Sequence, residues 1–242
     1  MKIALISDIH GNAIALDTVL AAGKRDRPDR MICLGDVAGM GPQPREVIDR
    51  LRTLDIPVVN GNVDDMILTP PTRDEMPPDR QPVADILQWG ATQLSSADRE
   101  YLRTFRPTVE VELGPDATLL CFHGSPASNW DIILATTPDD ELDRLLAGRS
   151  ASVMTGGHTH VQMIRRHRAA TIVNPGSVGL PAETSDAGVR HPPWAEYGMV
   201  TWEGGELGIE LRRVPIDVPA IVEAAHRSGM PNSEWWTAAW EK

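Results

Sequence analysis

The chain has 242 residues, 41% of them apolar, with 34 acidic against 23 basic side chains and a formal net charge of −11 at pH 7. That length holds one large domain or two small ones, and the apolar content suffices to bury a substantial core. The acidity repels phosphate at long range, which excludes an extended nucleic-acid or anionic-membrane surface and requires any phosphate ligand to find its positive charge locally.

In chain order, Met1-Lys2 leads without a cleavage signal into "KIALIS" (2–7), a predicted strand, followed by a helix over 12–23. No apolar stretch reaches the ~20 residues of a membrane span, so the expected location is the cytoplasm with no membrane contact. The next strand is "RMICLG" (30–35), followed by a helix over 44–54 and the strand "IPVVN" (56–60). Residues 69–82 carry five prolines and read as irregular; helices follow over 82–94 and 96–105, the latter starting at Ser96. "TVEVEL" (108–113) and "TLLCFH" (118–123) flank Gly114-Pro115-Asp116 and predict a hairpin. A helix over 137–148 starts at Thr137 before Pro138-Asp139-Asp140-Glu141, and strands follow at 152–156 and 171–175.

Between those two strands the basic stretch Arg165-Arg166-His167-Arg168 reads as a solvated turn. Residues 181–197 read as a second long loop. "GMVTWE" (198–203) and "LGIELRRV" (207–214) enclose Gly204-Gly205, which suits a type I′ hairpin and makes the sheet system mixed. A helix over 217–229 precedes "SEWWTAAWEK", whose Trp235, Trp236 and Trp240 either pack onto the body or form a subunit interface between identical chains. Cys33 and Cys121 each lie inside an apolar run and read as free buried thiols. Alternating strands and helices mark an α/β fold, and with neither repeat nor linker the whole span 1–242 reads as one domain with a Trp-rich helical tail from about 217.

The strand ends carry the chemistry. Asp8 and His10 follow the first apolar run, Asp36 the second, Asn62 the third, His123 the run at 118–122, and His158 and His160 the run at 152–156. Four of the seven histidines thus stand directly after strands. In α/β sheets such ends converge on one crevice, where buried carboxylates and imidazoles cost several kcal/mol unless neutralised or coordinated. Each piece alone is common: Asp-x-His arises by chance, Gly35-Asp36 and Gly61-Asn62 are ordinary turns, and Gly157-His158-Thr159-His160 is only suggestive of a metal. The ordered combination is far more specific.

Asp8-x-His10, Gly35-Asp36, Gly61-Asn62-x-Asp64, His123-Gly124, Gly157-His158-Thr159-His160 and Asn174-Pro175-Gly176-Ser177-Val178-Gly179 together resemble the motif series of the calcineurin-like metallophosphoesterases, most closely their small bacterial and archaeal phosphodiesterase branch, over residues 3 to 214. The resemblance implies a four-layer α/β/β/α sandwich with two mixed β-sheets, and two divalent transition metal ions: manganese first, or iron, zinc or nickel. By the same resemblance Asp8, His10 and His160 would hold the first metal, Asn62, His123 and His158 the second, and Asp36 would bridge both. Two such ions bring four positive charges against two carboxylates, so a positive centre remains inside an acidic protein. The mixed nitrogen and oxygen donors suit manganese, iron or zinc better than magnesium or calcium.

The implied reaction is hydrolysis of a small phosphodiester or nucleotide by a metal-bridging hydroxide, with Asp36 and Asn62 in the catalytic centre. Many relatives place a proton-donating His after the Gly-Asn pair, where this chain has Val63. General acid catalysis is worth roughly 10²–10⁴-fold, so good leaving groups are expected to be preferred unless Asp64 or His191 supplies the proton. Ser177 is not expected to act as a nucleophile, and Arg190, His191 and Trp194 are the loop residues considered for substrate contact. Alternatives are a protein serine/threonine phosphatase, a dinucleoside polyphosphate hydrolase, or a protein-binding scaffold of the same fold.

Overall fold

The computed structural model describes residues 1–185 and 188–240; positions 186–187 of the expected loop and 241–242 of the tail lie outside the described residues. The elements run β1 (Lys2–Ile6), α1 (Ala13–Asp26), β2 (Arg30–Cys33), α2 (Pro44–Leu54), α3 (Asn62–Leu68), α4 (Gln81–Gln93), α5 (Ser96–Leu102), β3 (Val109–Gly114), β4 (Ala117–Cys121) and α6 (Asp139–Leu145). They continue with β5 (Val153–Thr155), β6 (Met163–His167), β7 (Ala170–Asn174), β8 (Glu183–Ser185), β9 (Gly188–Arg190), β10 (Trp194–Glu203), β11 (Glu206–Pro215), α7 (Val218–Arg227) and α8 (Ser233–Thr237).

Two mixed sheets face each other. The first has the order β11-β10-β1-β2 and the second β3-β4-β5-β7-β6. β1 pairs in parallel with β2 and antiparallel with β10; β4, β5 and β7 are parallel, with β3 and β6 antiparallel at the edges. Strand alternation explains the layering. Val109, Val111 and Leu113 of β3 turn inward while Glu110 and Glu112 stay in solvent, and the inward set packs with Ile3, Leu5, Ile32 and Leu34 of the first sheet. The other face of the first sheet, Ala4 and Ile6, is covered by Leu16 and Val19 of α1 and Val47, Ile48 and Leu51 of α2. Leu120, Phe122, Met154 and Ile172 cover the outside of the second sheet against Leu142 and Leu145 of α6. The architecture is the expected α/β/β/α sandwich.

Local chemistry starts these elements. The Asn12 side chain accepts from Ala15 N at the head of α1, and Pro44 opens α2. At α5 the cap is Ser95, one residue before the expected Ser96, with its hydroxyl accepting from Asp98 N. Gly204 (φ 60) and Gly205 (φ 88) both occupy the left-handed region that a type I′ hairpin needs. Both cysteines are free and buried. Among the described residues no helix is long and apolar enough to cross a membrane.

Four local expectations are corrected. "IPVVN" makes only isolated bridges, Cys33 with Val58 and Val59 with Arg106, because Pro57 lacks the N–H a ladder needs. Residues 62–68 form α3, which was not expected. The basic stretch is not a solvated turn: Arg165 to His167 lie in β6, and only Arg168 turns (φ 51). Its charges are answered from α6, since Asp139 accepts from Arg165 and Asp143 is paired with His167 and Arg168. Within 181–197, residues 183–185 and 188–190 make a small hairpin, and β10 begins at Trp194.

The tail packs onto the body. Trp236 and Trp240 are buried with Ile86, Leu180, Ile221, Ala225 and Met230, whereas Trp235 is 46% exposed.

Candidate metal centre

All seven expected donors stand at the carboxyl ends of strands or at the head of α3, and the fold brings them together. One oxygen or nitrogen from each of Asp8, His10 and His160 lies within 4.8 Å of the other two, and the same is true of Asp36, His123 and His158. The sets adjoin. Asp36 Oδ2 is 3.7 Å from His10 Nε2 and 3.3 Å from His123 Nε2. Asn62 Oδ1 is 3.1 Å from His123 Nε2, on the side of the second set. Asp8 and Asp36 are buried, while His158 and His160 are only partly so and mark the side open to solvent.

The loops that aim these side chains are tight. Asp8, His10, Asp36, His158 and His160 all have φ between 49° and 67°, the left-handed region that non-glycine residues seldom occupy. Surrounding contacts enforce it. Asp8 N donates to Gly35 O at 3.0 Å and His10 N to Asp36 O at 2.9 Å, which stitch the ends of β1 and β2 together. Asp64 accepts from Asp36 N, Val37 N and Gly61 N at 2.8–3.0 Å and so ties the β2 loop to the head of α3. The 174–179 turn grips Asp8 from the other side, Gly179 N and Ser177 Oγ both donating to Asp8 O.

Glycine is required where these loops touch. A Cβ on Gly157 would lie 1.9 Å from Ser7 Oγ and 2.5 Å from Asp8 Oδ2. Gly157→Ala should therefore lower stability by about 1–3 kcal/mol through overpacking, read as a depressed melting midpoint in EDTA.

Electrostatics support a cation pair. A carbonyl oxygen only accepts, so the tautomers assigned from these partners place protons on His10 Nδ1 (to Gly39 O, 3.1 Å), His123 Nδ1 (to Leu34 O, 2.7 Å) and His160 Nδ1 (to Leu180 O, 2.7 Å). Their Nε2 lone pairs then face one another. His10 Nε2 and His160 Nε2 stand 3.0 Å apart, and His123 Nε2 faces the Asn62 carbonyl oxygen. Such lone-pair contacts repel unless a proton or a metal ion lies between them, and each donor set offers the nitrogen and oxygen ligands that transition metals accept. The residues present therefore fit two divalent ions. In the absence of metal, burial and the charge of His160 push His10 down to about 4. Burial opposes protonation of His123, but Asp36 and Asp8 outweigh it and hold that imidazole up to about 10. The same imidazoles outweigh burial at Asp8 and Asp36, whose carboxyls sit below their ordinary range.

The remaining residues singled out in the sequence have other contacts. Asp64 is fully buried with both oxygens engaged by backbone N–H groups; burial, then repulsion from Asp36, pushes it up to about 7. His191 donates from Nδ1 to Pro181 O at 2.8 Å and its ring lies tilted against that of Trp240. Burial pushes it down to about 4, so at neutral pH it carries no charge. Arg190 pairs with Glu183, and Trp194 lies beneath Arg213 and donates to Glu196. The Val63 side chain is buried in the apolar layer behind the loops, while its N–H donates to Asp36 Oδ1 at 2.8 Å. Sequence reasoning missed the anchoring duty of Asn174, which donates to Gly157 O and Thr159 Oγ1 and accepts from Gly176 N. The signal was the Asn-Pro-Gly turn itself, since Asn favours such local bonds.

A family model described as the calcineurin-like phosphoesterase superfamily domain matches residues 1–190. A solved metallophosphoesterase from Sphaerobacter thermophilus is similar at 26% identity and a TM-score of 0.74, covering 99% of this chain and 98% of that one. The hypothetical protein PH1004 of Pyrococcus horikoshii OT3 shares the fold at a TM-score of 0.80 with 21% identity, over 98% of this chain and 96% of that one. The uncharacterized protein MJ0912 of Methanocaldococcus jannaschii is 23% identical over 250 residues, spanning 96% of this chain and 94% of that protein.

Proposed function

This chain belongs to the calcineurin-like phosphoesterase superfamily, and from that premise we propose that it is a dinuclear metal-dependent phosphodiesterase acting on a small phosphodiester or nucleotide. The observation that carries the reading is the pair of adjoining donor sets with Asp36 between them. Asp8, His10 and His160 would hold one ion, Asn62, His123 and His158 the other, and Asp36 both. Manganese is the expected metal. When bound, two such ions supply charge for the phosphoryl oxygens and an acidified water for in-line attack.

The chain's own residues do the rest. Neutral imidazoles and the Asn62 amide add no negative charge, so the centre stays positive toward a phosphoester within a chain of net charge −11. Asp64 and the 174–179 turn hold the left-handed loops, so the donors meet substrate already oriented. Proton donation to the leaving group is the weak link. Val63 has no proton to give, the Asp64 oxygens are occupied, and His191 is neutral. Diesters with good leaving groups follow as the preferred class, since an alkoxide would depart unprotonated. The complete donor set favours a catalyst over a protein-binding scaffold of the same fold.

The test pairs elemental analysis with hydrolysis of bis-(p-nitrophenyl) phosphate and the matching monoester after EDTA treatment and readdition of single metals. EDTA should abolish turnover, and Mn2+ should restore it with the diester preferred. Monoester preference would point to a phosphatase, and no turnover with any metal would sink the enzymatic reading.

A further inference from the structure

The imidazoles of the first donor set are each oriented by one backbone carbonyl, His10 by Gly39 O and His160 by Leu180 O. In both loops the next residue is held through the C-terminal tail. Trp236 Nε1 donates to Met40 O at 2.6 Å, one residue beyond Gly39. Pro181, one residue beyond Leu180, accepts from His191 Nδ1, and His191 is itself fastened to the tail: its N–H donates to Ala239 O at 2.8 Å and its ring lies 4.9 Å from that of Trp240.

The two indoles touch each other, 6.1 Å between ring centroids, and share one buried cluster with Leu180, against which Met40 also packs. Among the described residues Trp240 Nε1 is buried with no hydrogen-bond partner, so the ring is placed by its packing against Trp236 and His191. The second donor set has no such connection among the contacts described. His123 leans on Leu34 O, whose residue belongs to the core between the sheets, and Asp36 is held by Asp64 and Val63 N.

We propose that the C-terminal tail is a clamp on the first metal position, in which Trp236 and Trp240 hold the Gly39–Met40 and Leu180–Pro181 loops at the separation that brings His10 Nε2 and His160 Nε2 together. Both tryptophans are positioning residues; neither is placed on substrate. Groups that fix a ligating imidazole restrict its rotation, and loosening them lowers affinity for the ion it holds. The clamp therefore makes affinity at the first position depend on tail packing, and leaves the second independent. It rests on the dinuclear reading given above.

The test counts Mn2+ bound per full-length chain by equilibrium dialysis at buffered free Mn2+, with elemental analysis. Wild type should bind two ions; fewer than two would overturn the dinuclear reading and this inference with it. In a His123→Ala background, which leaves the first position, Trp240→Ala should raise the Kd about tenfold and Trp236→Phe about threefold, at and below the low end of the effect of removing an orienting partner. In a His160→Ala background, which leaves the second position, both should change Kd by less than about twofold on the same scale. Unchanged affinity in the first background, or equal weakening in both, would overturn the clamp while leaving the dinuclear centre standing. Trp236→Phe keeps an aromatic ring in the tail cluster, though a smaller one, and deletes the donor to Met40 O, so it decides the matter where Trp240→Ala melts.

Discussion

Asp36→Asn should lower kcat on bis-(p-nitrophenyl) phosphate on the order of 10³-fold, the equivalent of about 4 kcal/mol of charge stabilisation, and should cost the chain at least one bound metal ion. The substitution keeps the volume of the side chain and an oxygen that can accept from Val63 N. What it removes is the negative charge of a carboxylate whose Oδ2 stands 3.7 Å from His10 Nε2 and 3.3 Å from His123 Nε2. Fold and function are thereby separated in degree: the melting midpoint in EDTA should fall modestly, because against the cost of burial the lost carboxylate was held charged by His123 and His10. Steady-state kinetics with metal counting on the same preparation checks both halves. A variant that retains two ions and turns over within tenfold of wild type would mean that Asp36 does not join the two positions.

Asp64→Asn reverses that pattern and should destabilise the metal-free chain by about 2–4 kcal/mol. Both Asp64 oxygens accept, Oδ2 from Asp36 N and Gly61 N and Oδ1 from Val37 N. An amide has a single oxygen, so its NH2 must face at least one backbone N–H at a position with no exposure to solvent. In a chain of this size the loss corresponds to a melting midpoint lower by roughly 5–15 °C in EDTA, measured by circular dichroism. A midpoint within about 2 °C of wild type, on the same scale, would show that the two loops are held together by something other than this carboxylate. Metal binding to the surviving folded fraction should persist, since Asp64 is not itself a donor toward the ions.

Much of the fold was legible because its signals are local. The alternation Val109-Glu110-Val111-Glu112-Leu113 carries its own orientation, and the stripe Val47-Ile48-Leu51 marks the buried face of α2. Gly204-Gly205 specifies a turn type with no help from the rest of the chain. The elements that escaped are those held by distant partners. The seven residues of α3 are too few to show a period, and their start is tied down by Asp64 reaching back to Asp36 and Val37. Charge runs are usually solvated, yet Arg165, His167 and Arg168 meet Asp139 and Asp143, some 24–28 residues away, once β6 has paired with β7.

The order of donors along the chain, each directly after an apolar run, was enough to indicate which residues would gather, because strand direction decides at which edge a residue emerges. Which ring nitrogen faces the centre is a different kind of fact. It depends on the carbonyls of Gly39, Leu34 and Leu180, on φ angles near +50° that only tightly packed neighbours can impose, and on glycines whose missing Cβ lets two loops touch. Sequence periodicity records what a residue prefers by itself. Tautomer, loop strain and the reach of the tail tryptophans toward His10 and His160 arise only when segments far apart in the chain are pressed together, and the tertiary structure alone decides them.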